Sequence, residues 1–74
     1  MKLSEFIKNE REFRVMTQKQ FGNELGVSKV HMSKIEHGQQ LSIKTLLKIV
    51  EYFGLSRKEV AQMSMEDHPA RKGE

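Results

Sequence analysis

Apolar side chains recur along this chain at steps of three and four residues, which is the spacing of one face of an α-helix. The clearest stripe consists of Ile43, Leu46, Leu47, Val50 and Phe53. The strict alternation that is typical of a half-buried β-strand is absent. The pattern therefore predicts an all-α fold.

Helix caps and glycines divide the chain into five predicted helices. Serine and threonine are favoured as N-caps because their side-chain oxygens accept a free backbone N–H, and glycine is favoured after a helix because it tolerates left-handed backbone. The predicted helices cover residues 3–14, Thr17 to Gly26, Ser28 to Glu36, Ser42 to Gly54, and Ser56 onward with Val60 and Met63.

A chain of 74 residues is expected to form one small domain with a marginal core. We assign residues 1–63 to that domain. No core-forming pattern follows Ser64, so residues 64–74 are predicted to be a flexible polar tail. With 36% apolar and 31% charged residues, the composition is that of a globular chain rather than a disordered one.

Several classes of site are excluded by the residues present. The absence of cysteine excludes a disulfide scaffold, a thiolate metal site and a cysteine nucleophile. The three histidines lack the i,i+4 spacing of metal motifs and a matching carboxylate. We therefore expect no enzyme, no catalytic residue, no metal or cofactor and no small-molecule ligand. Without a long apolar run or an apolar segment after Met1, we expect a cytoplasmic protein with no membrane partner.

The net charge of +3 is concentrated in the middle of the chain. Residues 15–48 hold five lysines against two glutamates, which gives +3, whereas residues 49–74 hold four basic and five acidic groups. Such an excess suits an anionic partner, although charge alone favours the simpler explanation of a solvated surface.

The second and third predicted helices are joined only by Gly26 and Val27. A link this short makes the two helix axes cross steeply, and glycine supplies the left-handed turn. Gly22 lies inside the second helix, where glycine costs about 1 kcal/mol relative to alanine. A close crossing of the two helices would explain it.

The third predicted helix has two different faces. At about 100° per residue, Met32 and Ile35 fall on one side, and Lys29, Ser33 and Lys34 fall on the other together with Val30. Lysine and serine can bond base edges or phosphates, and valine can pack on a thymine methyl. The alternative is that both lysines are ordinary solvated side chains.

The run from Met16 to Gly38, with its continuation from Ser42 to Leu55, resembles the lambda-repressor-like, Cro/C1-type (XRE) helix-turn-helix family. The most specific parts of the resemblance are Thr17-Gln18, Leu25-Gly26-Val27-Ser28, Ile35-Glu36 and Gly38. The resemblance implies a compact five-helix domain that binds a double-stranded DNA operator as a homodimer, with the third helix in the major groove. It implies a transcriptional regulator, and we expect a repressor.

The same resemblance implies particular residue roles. The residues implied in base readout are Ser28, Lys29, Val30, Ser33 and Lys34. The residues implied in phosphate contact are Gln18, Lys19, His37, Gln39, Gln40 and Lys44. Arg11 and Glu36 match an arginine–glutamate pair that links the first helix to the end of the third. Glu10 replaces a usually apolar position, so the first helix is either rotated or leaves Phe13 as an exposed anchor.

A dimer contact must lie away from the DNA, and we assign it to the fourth and fifth helices through Tyr52, Leu55, Val60 and Met63. Alternatively, Val60 and Met63 only seal the core. A second alternative for the function is an antitoxin, which binds a toxin as well as its own operator. RNA binding is disfavoured because the five aromatic residues fall mostly at core positions.

Overall fold

The computed structural model describes residues 1–68, and within that range the chain forms five α-helices and no strand. The helices are α1 (Leu3–Phe13), α2 (Gln18–Leu25), α3 (Lys29–Glu36), α4 (Ile43–Phe53) and α5 (Arg57–Asp67). The predicted all-α fold is confirmed, and α2 and α3 are joined by a turn of only three residues, as are α4 and α5.

Four of the five helices begin at the serine or threonine that the sequence predicts. The side-chain oxygen of each N-cap accepts a hydrogen bond from the backbone N–H three residues later. At Thr17 and Ser56 the side chain of the residue three positions on accepts a hydrogen bond from the backbone N–H of the cap, which completes two capping boxes. At the second box, the Ser56 backbone N–H lowers the pKa of the Glu59 carboxyl.

The end of α5 differs from the prediction of a tail beginning at residue 64. The helix continues to Asp67, whose carboxylate accepts hydrogen bonds from the Ser4 backbone N–H at 2.8 Å and the Ser4 hydroxyl at 2.7 Å. The N-cap residue of α1, Lys2, offers no side-chain cap, so Asp67 caps α1 from another helix. This contact spans 63 positions, which explains why no local pattern predicted it. The rest of the predicted tail, residues 69–74, lies outside the described residues.

The core contains residues from all five helices: Leu3, Ile7, Phe21, Leu25, Met32, Ile35, Ile49 and Val60. Val60 is only 1% exposed, so its assignment to a dimer interface was wrong; its side chain seals the monomer core. Tyr52, Leu55 and Met63 are partly buried and pack against the same core.

The apolar stripe of α4 is wider than the face that it buries. Thr45 and Ile49 point into the core, whereas Ile43 is 76% exposed and Leu47 is 38% exposed. An apolar groove runs beside this surface between α4 and α5, with Val50 and Ala61 among its lining residues. Two large aliphatic side chains thus remain on the outside of α4.

The end of α1 combines an exposed aromatic residue with strained backbone. Phe13 is exposed, as the second interpretation of α1 expects, whereas its role as an anchor stays a prediction. Glu10 forms an ion pair with Arg14, whose guanidinium lies 5.5–5.8 Å from the centres of three core aromatic rings. Val15 has a φ of 54°, a left-handed conformation that β-branched residues rarely adopt.

Candidate nucleic-acid interface

The α2–α3 turn holds the two helices at close range. Gly26 ends α2 in the left-handed conformation with a φ of 81°, and the Val27 N–H bonds the Gly22 carbonyl at 2.8 Å. A Cβ atom at Gly22 would lie 2.9 Å from the Val27 carbonyl oxygen. Gly22 is therefore required by the close approach of the turn, as the sequence predicted.

Lys48 of α4 fixes this turn from outside and was not among the predicted site residues. Its Nζ donates to the Gly26 carbonyl oxygen at 2.7 Å. A cation beside a carbonyl at the end of α2 also complements the negative end of the helix dipole. The sequence around Lys48 does not indicate this hydrogen bond, because Gly26 lies 22 residues away along the chain.

The two faces of α3 separate as the sequence predicted. Met32 and Ile35 are buried in the core, while Lys29 and Lys34 are exposed. Val30 is 66% exposed on the outer side. Burial of one face fixes the rotation of the helix, so the polar face with its single apolar side chain is presented to solvent.

A polar network braces α3 against α1 and α2. The Arg11 guanidinium donates two hydrogen bonds to the Glu36 carboxylate, at 2.7 and 3.1 Å, and a third to the Met16 carbonyl oxygen at 3.0 Å. The Gln18 side-chain amide donates to Glu36 at 3.3 Å. The hydrogen bonds from Arg11 to Glu36 raise the pKa of Arg11, although partial burial opposes the rise. The pair joins α1 to the end of α3, and Gln18 adds the start of α2.

Several polar groups of the predicted interface also cap α3. The Ser28 hydroxyl accepts from the His31 N–H at 3.0 Å, which leaves its own proton to be donated. His37 Nδ1 lies 2.7 Å from the Ser33 carbonyl oxygen, an arrangement in which Nδ1 donates. A neutral His37 then carries a lone pair on Nε2, so only protonated His37 could donate to a phosphate.

The remaining predicted phosphate residues fall on three segments. Lys19 is exposed in the first turn of α2. Gln39 and Gln40 are exposed after Gly38, and the Gln39 N–H bonds the Lys34 carbonyl at 3.1 Å. This bond ties the loop to the end of α3. Lys44 is exposed on α4. The hydrogen bonds that join α4 to α2 and its C-cap are made by two other residues, Lys48 and Tyr52.

This surface is positive and rich in hydrogen-bond donors. Lys19 is exposed at the start of α2 and Lys29 and Lys34 are exposed on α3, while the Glu36 carboxylate is paired with Arg11. Together with the free N–H groups at the starts of α2 and α3, such an arrangement suits a polyanion. Among residues 1–68 the structure contains no group of three or more side chains able to hold a metal ion, and no helix long and apolar enough to cross a membrane.

Comparison with known families is consistent with this geometry. The sequence model of one family, described as a helix-turn-helix domain, matches residues 4–64. The match therefore includes α1 to α4 and most of α5. No curated protein and no solved structure matches the chain significantly.

Proposed function

Because this chain belongs to the helix-turn-helix domain family, we propose that it is a sequence-specific regulator of transcription that binds double-stranded DNA. In this proposal it acts as a Cro/C1-type repressor and binds a palindromic operator as a homodimer, with α3 in the major groove. A two-fold dimer would present two α3 helices about 34 Å apart, one helical turn of DNA.

The observation that carries the proposal is the division of α3 into a buried and an exposed face. Met32 and Ile35 anchor the helix, and the exposed side carries Lys29, Val30 and Lys34. We assign base readout to this side, together with Ser28 and Ser33. Lysines suit guanine edges, and an exposed valine suits a thymine methyl.

Phosphate contacts are assigned to groups that flank α3 on both sides. Gln18 and Lys19 are at the start of α2, and Gln39 and Gln40 follow the end of α3. Phosphates carry no sequence information, so these contacts would fix the register of the protein on DNA rather than select a site. His37 joins this set in its protonated form.

The test is a footprint on the DNA upstream of the protein's own gene, followed by binding assays on the protected sequence and on a scrambled duplex. Lys34→Ala should weaken binding to the protected sequence by about 1–3 kcal/mol, or roughly fivefold to 150-fold, and should weaken binding to the scrambled duplex less. Gln18→Ala should weaken both to a similar extent.

A matched control is Lys58→Ala, which removes one exposed lysine from α5. It changes the net charge as Lys34→Ala does, so any difference between the two variants reports position rather than total charge. Equal losses for both lysine variants on both duplexes would refute base readout by Lys34. No protected sequence and equal affinity for all duplexes would refute a sequence-specific regulator.

The alternative function, an antitoxin, is favoured by one observation. Phe13 and Val15 are large apolar side chains fully presented at the end of α1, away from the buried faces of the helices. A partner protein that covers both side chains would remove their apolar surface from water. Co-expression with the product of the adjacent gene, for the wild type and Phe13→Ser, tests it: a toxin that copurifies only with the wild type would support the antitoxin.

A further inference from the structure

The outward surface of α4 has a pattern that is complementary to itself. Taking Leu47 as the centre, Ile43 and Val50 lie about 40° and 60° to one side, and Glu51 and Lys44 lie about 40° and 60° to the other. The core residues of the same helix lie opposite. The surface thus has an apolar flank, a central leucine, and a flank with one positive and one negative group.

We infer that a second copy of this chain packs on this surface, with α4 antiparallel to the partner's α4 and the two-fold axis at Leu47. The inference rests on the dimer of the proposed function and identifies the face that forms it. It moves Lys44 from the predicted phosphate contacts to the contact between protomers.

The antiparallel arrangement brings the complementary groups together twice. At about 1.5 Å per residue, Lys44 lies about 4.5 Å before Leu47 along the axis, and Glu51 lies about 6 Å after it. Reversing one helix about the two-fold axis therefore places each Lys44 within about 1.5 Å, along the axis, of the partner's Glu51, on the same flank. On the other flank, each Ile43 meets the partner's Val50 in the same way.

Charge complementarity is the reason to choose a second copy over a different partner. In residues 1–68, neither Lys44 nor Glu51 forms an ion pair within its own chain, so both charges are available to a neighbour. In a parallel two-fold arrangement the charged flank of each α4 would instead face the apolar flank of its partner, so neither charge would meet an opposite charge. An apolar centre beside a charged flank also matches the general construction of protein interfaces.

The first experiment uses the absence of cysteine. Leu47→Cys places one thiol per chain at the two-fold axis, where the facing Cα atoms of packed helices come within reach of a disulfide. Under mild oxidation we expect a cross-linked dimer to form in high yield. The control is Lys8→Cys, at an exposed position on α1, which should remain largely uncross-linked.

The second experiment exchanges the charges. Sedimentation should show that Lys44→Glu and Glu51→Lys each weaken self-association by about tenfold or more, since each creates two like-charge contacts. The double variant should regain wild-type association. A mixture of the two single variants should associate more tightly than either alone, because both contacts between unlike variants are then opposite in charge.

The outcomes separate this inference from the dimer itself. A stable wild-type dimer with no cross-link at Leu47→Cys and no rescue by the double variant would overturn the α4 face but leave the dimer. A wild-type monomer at tens of micromolar, with one protomer bound per operator, would overturn both. Melting curves that match the wild type will show that each variant is folded.

Discussion

Replacing Val15 by glycine should stabilise this protein. Val15 follows α1 with a φ of 54°, and its N–H bonds the Glu12 carbonyl at 3.0 Å while the Met16 N–H bonds the Arg11 carbonyl at 3.2 Å. This is the Schellman arrangement, in which the left-handed position is usually occupied by glycine. The two hydrogen bonds use backbone atoms only, so Val15→Gly keeps them.

The magnitude follows from three terms. The left-handed conformation costs an L-residue about 1–2 kcal/mol, and β-branched residues are at the upper end. Glycine also increases the conformational entropy of the unfolded chain, which lowers the free energy of unfolding by about 0.4–1 kcal/mol. Val15 is 90% exposed, so its removal loses little apolar burial. The net gain is about 0.5–1 kcal/mol, which for a domain of this size raises Tm by roughly 2–8 °C.

The assay is thermal and urea unfolding followed by circular dichroism, with Val30→Gly as the matched control. Val30 is also exposed, but it lies in α3, where glycine costs about 1 kcal/mol relative to alanine and a smaller amount relative to valine. The same substitution should therefore change the free energy of unfolding in opposite directions at the two positions. A Val15→Gly variant no more stable than the wild type would refute the strain argument.

Five further substitutions at four positions test other parts of the fold by unfolding measurements. Arg11→Ala should cost more than the roughly 1 kcal/mol of a surface pair, since it removes two hydrogen bonds from the largely buried Glu36 carboxylate and leaves only the Gln18 amide bonded to it; an unchanged melt would contradict this. Gly22→Ala should lower the free energy of unfolding by about 1–3 kcal/mol, because the new Cβ meets a backbone carbonyl oxygen at 2.9 Å. An unchanged free energy of unfolding would show that the turn moves to accommodate the methyl group. Asp67→Ala should lower the free energy of unfolding by about 1 kcal/mol, because α1 loses its cap. Asp67→Asn keeps one acceptor oxygen, so it should lower the free energy of unfolding less. Because the pKa of Glu59 is lowered on folding, its contribution to stability is present above its ordinary pKa of about 4.5 and is lost as the pH falls; Glu59→Gln should therefore reduce the difference between stability at pH 7 and pH 3.

The sequence by itself determined the helices and their order. Each N-cap acts on a backbone N–H three residues away, and each of Gly26 and Gly54 ends its helix in left-handed backbone. These interactions are local, so the residue types and their spacing are enough to locate them. The two faces of α3 were predictable for the same reason, since a helix of known phase fixes which side chains share a side.

Only the tertiary structure decided which apolar residues of α4 and α5 are covered. Ile43 and Val60 look equivalent in the sequence, as aliphatic positions of amphipathic helices. In the fold Val60 fills the core, while Ile43 stays 76% exposed, because burial depends on which helix packs opposite. The length of α5 was decided in the same way, by the contact of Asp67 with Ser4 at the other end of the chain.

The support of the α2–α3 turn by Lys48 also belongs to the tertiary structure. The sequence shows a lysine in a basic segment, and nothing local distinguishes a lysine that bonds a carbonyl 22 residues away from one that is solvated. Local interactions leave a signature in residue type and spacing. A contact between distant segments leaves none until the chain has folded and set the distance between them.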